Sequence, residues 1–151
     1  AMETVGMVIG AVIAMRIRVN RLLRLGVICM LGEIPLMFAM AEAPELAALI
    51  PAAFAAGVAF EQFGIAWEST MQRYIPADKL ARVYSYDALG SFLAIPLGQI
   101  VAGPVALRWG TSATLIGASV LSLVAVVAML LVRDVRTLPT SPPKVLASGS
   151  M

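Results

Sequence analysis

From Ala113 to Val132 the chain runs for twenty residues without a charged side chain. A helix needs about 20 apolar residues to cross the hydrocarbon core of a bilayer, so this run selects a membrane as the medium of folding. Four more apolar segments precede it, at about 2–15, 25–40, 46–71 and 83–107. Hydrophobic residues make up 60% of the chain and charged residues 13%, against about a quarter charged in an ordinary soluble domain. The pattern predicts an all-α, polytopic membrane helix bundle of about five spans over residues 1–136. The Pro/Ser/Gly-rich stretch 137–151 buries too little apolar surface to order itself and is expected to be a disordered cytoplasmic tail.

The basic residues orient the bundle. Arg16, Arg18, Arg21 and Arg24 fill one gap between runs, Arg73, Lys79 and Arg82 another, and Arg133, Arg136 and Lys144 follow the last run. Arg108 alone falls in an alternate gap, so ten of the eleven Lys and Arg residues lie on one side of a serpentine path. Positively charged loops stay in the cytoplasm, which puts the C-terminus there and makes the protein multi-pass in the plasma membrane. The other gaps are AEAPE (Ala41 to Glu45) and RWGTS (Arg108 to Ser112); in the second, Trp109 suits the headgroup region.

Absent residue types remove whole classes of chemistry. The chain has no histidine and one cysteine, Cys29. Ser-His and Cys-His catalysis, His-ligated metals, paired-cysteine metal sites and disulfides are therefore excluded. No GxxxxGK[ST] loop occurs, so nothing supports direct coupling to ATP. The expectation is a protein that is not an enzyme, with no cofactor, no metal and no nucleic-acid partner. The opening AMETVG lacks a basic n-region and a small-residue cleavage site. The short first run and the initial Ala carry the expectation that further residues precede it, with a native start at Met2 as the alternative.

Two stretches resemble major facilitator superfamily transporters. QRYIPADKLARVYSYDALGSFLAIPLGQIVAGPVA, Gln72 to Ala106, looks like the loop between the tenth and eleventh helices of that superfamily together with the eleventh helix, closest to exporters of the macrolide-efflux and enterobactin-exporter type. GAVIAMRIRVNRLL, Gly10 to Leu23, resembles the degraded second copy of the superfamily's loop motif, with Met15 in place of Asp and Arg18 in place of Gly. The resemblance implies that the five spans are helices eight to twelve of a twelve-helix secondary exporter in a bacterial inner membrane. It further implies a small-molecule substrate, lipid around the spans, and a missing N-terminal helix bundle of the same protein as partner.

Polar residues inside the spans are the candidate site. A carboxylate at the middle of a membrane helix costs about 2.5–3.5 kcal/mol on insertion scales, so each needs an account. Gly57, Glu61, Gly64 and Glu68 recur at spacings of four, three and four and share one helix face, with Gln62 beside them. Glu61 either faces a transport pathway, binding a proton or a cationic group of the substrate, or makes a structural bond to a neighbouring helix. Glu68 lies closer to the cytoplasmic edge, within reach of water or Arg73. Glu33 stands two residues before Pro35 and is a second possible proton or ion site beside a kink. Asp87, near the start of the fourth run, caps that helix or pairs with Arg82; the resemblance adds a gating role for Arg73, Arg82 and Asp87. Pro96 and Pro104 are further kink positions. In the transporter reading, two helix bundles rock around a midplane site. The alternative is a small membrane scaffold or assembly subunit whose polar residues only join helices.

Overall fold

The computed structural model describes residues 1–16, 19–42 and 45–140. About 90% of these are helical and none is in a strand. The elements are α1 (Met2–Arg16), α2 (Leu22–Cys29), a 3-10 turn (Met30–Glu33), α3 (Ile34–Ala41), α4 (Leu46–Tyr74), α5 (Ala77–Trp109), α6 (Thr111–Leu131) and the short α7 (Arg133–Thr137). Among the described residues, four helical stretches are long and apolar enough to cross a membrane: Leu22–Ala41, Leu46–Tyr74, Ala77–Trp109 and Thr111–Leu131. The protein is an all-α bundle of that kind. The expected first span, 2–15, is observed as a helix of 15 residues, which at about 1.5 Å per residue falls short of a hydrocarbon core about 30 Å thick.

Local chemistry sets the breaks. Pro35 has no N–H to offer the carbonyl of Leu31, and the N–H of Ile34 takes that carbonyl in a tighter turn. The expected kink at Pro35 is thus a 3-10 turn between α2 and α3. Ile75 precedes Pro76, and a residue before proline is pushed from helical into extended geometry; its φ of −104° and ψ of 126° end α4. The Pro76 carbonyl then accepts the N–H groups of Lys79 and Leu80 and starts α5. Gly110, at φ 87° and ψ 156°, turns the chain from α5 into α6 in a backbone region that only glycine occupies readily.

This arrangement revises the fourth run. The basic stretch between the third and fourth runs is not a long loop, because α4 continues to Tyr74 and α5 begins at Ala77. Both helices project past their apolar segments, so Arg73, Lys79 and Arg82 ride on helix ends. The observed helix Ala77–Trp109 replaces the expected 83–107 and runs unbroken through Pro96 and Pro104.

At the centre of the bundle is α4. On one side it packs against α1, on the other against α2, the 3-10 turn and α3, while α6 lies against α3 and α2. The contacts are made by small residues, as expected where apolar burial gives no preference for protein over lipid. An added Cβ on Gly26 would stand 2.5 Å from the Cβ of Ala66, and one on Gly32 would stand 2.8 Å from that of Ala59. Gly26 and Gly32 thus follow α4 in the opposite direction. No residue of α5 is buried; it meets α6 and α4 sparsely and stands away from the rest.

Of the expected tail 137–151, Thr137 closes α7 and residues 138–140 are held by hydrogen bonds. Residues 141–151, with Lys144, lie outside the described residues, as does Arg18.

Candidate functional site

The Gly57-Glu61-Gly64-Glu68 stripe divides into two halves. A Cβ on Gly57 would collide with the backbone carbonyl of Glu3 in α1, and one on Gly6 with the carbonyl of Phe54 in α4. One on Gly10 would lie 3.0 Å from the Cβ of Glu61 and 3.1 Å from the carbonyl of Val58. As α1 advances from Glu3 to Gly10 its neighbours on α4 advance from Gly57 to Glu61, so these two helices run in the same direction. Gly57 is therefore a true close approach. Gly64 has nothing within 4 Å and Glu68 is exposed, so the inner half of the stripe is open.

Gln62 is buried, and its Nε2 donates to the carbonyl of Gly10 at 2.6 Å. This polar bond across the α1–α4 seam answers the question of what satisfies Gln62 inside an apolar bundle. Glu61, next to it in sequence, is half-buried, with its Cβ against Gly10. Glu33 is also half-buried, at the end of the 3-10 turn, and the backbone of Glu3 in α1 lies against Gly57 of α4. The structure thus brings Glu3, absent from the sequence-derived candidates, to the face that Gly57 leaves open on α4. The signal was present: Gly6 and Gly10 stand four apart in an apolar run, the spacing by which membrane helices approach closely.

The remaining candidates lie elsewhere. Asp87 is exposed and ten residues beyond the first residue of α5. It cannot serve as a cap, since the free N–H groups belong to the first turn; Asp78 occupies that turn. Arg82 is exposed on the same helix. Arg73, at the end of α4, donates through Nη1 to the carbonyl of Thr140 at 2.6 Å. Gln72 Nε2 donates to the Tyr84 hydroxyl at 3.4 Å, a polar link from α4 to α5. Pro35, two residues after Glu33, is exposed, as are Pro96 and Pro104 on α5. Phe63 and Trp67 stack with ring centroids 6.1 Å apart on α4.

No protein-family model matches the chain, and no curated protein or solved structure matches it.

Proposed function

We propose that the chain is the C-terminal part of a secondary membrane transporter of the major facilitator type, moving an amphipathic small molecule outward. What carries this reading is α5. It is apolar enough to span a membrane, exposed at every residue from Ser85 to Pro104, and yet holds Ser91 and Gln99 within that stretch. A glutamine facing lipid at that depth is costly, and polar groups there ordinarily meet a neighbouring helix or a water-filled path. The second bundle of a facilitator provides both. The half-buried Glu61 then borders the pathway and exchanges a proton or a cationic group of the substrate. The basic end faces the cytoplasm of a bacterial cell, in keeping with the distribution of Lys and Arg.

A second reading, a scaffold subunit, is favoured by Gln62, whose amide joins α1 to α4 as a purely structural bond. The two part on one experiment. The chain joined to its N-terminal bundle, expressed in cells lacking their own exporters, is assayed for gradient-driven efflux of a set of amphipathic dyes. Glu61→Gln is expected to abolish efflux at unchanged protein level. Absence of efflux from the unaltered protein supports the scaffold reading, and efflux untouched by Glu61→Gln removes that carboxylate from the mechanism.

A further inference from the structure

The last described residues fold back onto the basic end of the bundle. Leu138, Pro139 and Thr140 follow α7 and lie over the α1–α2 turn and the C-terminal end of α4. Five hydrogen bonds meet on two of these residues. The Thr140 N–H donates to the Asn20 carbonyl at 2.8 Å, and its hydroxyl donates to the Val19 carbonyl at 2.5 Å. The same hydroxyl accepts the Leu22 N–H at 3.1 Å. Arg73 Nη1 donates to the Thr140 carbonyl at 2.6 Å, and the Tyr74 hydroxyl donates to the Pro139 carbonyl at 2.5 Å.

Leu22 is the first residue of α2, and Arg21 before it makes no side-chain capping bond. The first N–H groups of a helix have no partner within it. Thr140 supplies the oxygen that a neighbouring Ser or Thr ordinarily gives, from 118 residues away in sequence. Its segment lines one side of a small notch whose other walls are Leu22, Ser69, Thr70 and Arg73 of α2 and α4. It is also tied covalently, through α7, to α6, which packs against α3 rather than α4. The bonds from Arg73 and Tyr74 are exposed and those at Leu22 and Val19 half-buried, so water competes for each, and each holds only modestly.

We infer that Leu138–Thr140 form a releasable latch that holds the basic ends of α2 and α4 together, and that its detachment opens the notch beside Ser69 and Arg73 to water. The inference does not depend on a transport function. It is tested by hydrogen–deuterium exchange on the full chain in lipid nanodiscs, comparing the unaltered protein with Thr140→Val and Thr140→Ser. Losing the hydroxyl removes two of the bonds, and amides at Leu22–Leu25 and Met71–Ile75 are expected to exchange roughly fivefold to tenfold faster in Thr140→Val. Thr140→Ser keeps the hydroxyl and is expected to match the unaltered protein.

A second readout separates opening from loss of a cap. In a Cys29→Ala background, Ser69→Cys is expected to react several-fold faster with a soluble maleimide when Thr140→Val is added. Unchanged exchange, a change at Leu22–Leu25 without one at Met71–Ile75, faster exchange spread over all helices, or unchanged reactivity of the Ser69→Cys thiol would each overturn the latch.

Discussion

Alanine at Gly57 and alanine at Gly64 are the same chemical change, two turns apart on one helix, and the structure assigns them opposite signs. At Gly57 the new methyl meets backbone: beyond the Glu3 carbonyl oxygen it would lie 2.9 Å from the carbonyl carbon and 3.1 Å from the Cα. Backbone cannot swing aside as a side chain can, so α1 must retreat, which also strains the Gln62 bond to Gly10. Overpacking of this kind costs about 3 kcal/mol at the upper end of its usual range. Alanine returns up to about 1 kcal/mol as the better helix former, leaving a net loss of about 2 kcal/mol. At Gly64 nothing lies within 4 Å, so only the propensity gain of up to about 1 kcal/mol remains. The assay is unfolding in mixed micelles titrated with SDS, followed by the fluorescence of Trp67, with Trp109→Phe to leave one probe. Equal effects of the two variants, or a harmless Gly57→Ala, would refute the close approach of α1 to α4.

Gln62→Leu keeps the size of the side chain and removes its bond to Gly10. In the same titration it is expected to cost about 0.6–1.7 kcal/mol, the range for polar bonds between membrane helices; no change would mean the bond contributes nothing. Gly110→Ala places a Cβ on a residue at φ 87° and ψ 156° and is expected to destabilise by about 1–3 kcal/mol. A neutral result would mean that the α5–α6 turn adopts another geometry.

How far the chain can be read without coordinates follows from the kind of signal each feature leaves. Backbone rules act locally, so Pro35 announces its break in the second span through its missing N–H. Pro76 left the same kind of mark, but the basic residues around it masked the ends of α4 and α5. Arg73, Lys79 and Arg82 suggest a loop by charge, although helices that outrun the bilayer carry such residues on their ends. The same oversight made Asp87 a cap, which fails once α5 starts at Ala77. Of the glycine–carboxylate stripe, the shared face was evident from spacing, but which half meets another helix depends on where α1 crosses. Gly6 and Gly10 hold that answer as a pair, and the bond from Gln62 to Gly10 seals it. The fold-back of Leu138–Thr140 was the least accessible feature. Leu-Pro-Thr is too short to carry a periodic pattern, and its bonds go to Asn20, Leu22, Arg73 and Tyr74, far off in sequence.

Four helices are apolar enough to cross a membrane, and we propose that the basic end of the bundle lies in the cytoplasm. Cysteine accessibility tests it most directly. In a Cys29→Ala background, Glu45→Cys and Ser112→Cys occupy one end of the bundle, and Asn20→Cys, Lys79→Cys and Arg136→Cys the other. The account predicts that a membrane-impermeant maleimide labels the first pair in intact cells and the other three only after lysis. Labelling of Asn20→Cys or Lys79→Cys in intact cells, or protection of both Glu45→Cys and Ser112→Cys, would contradict it.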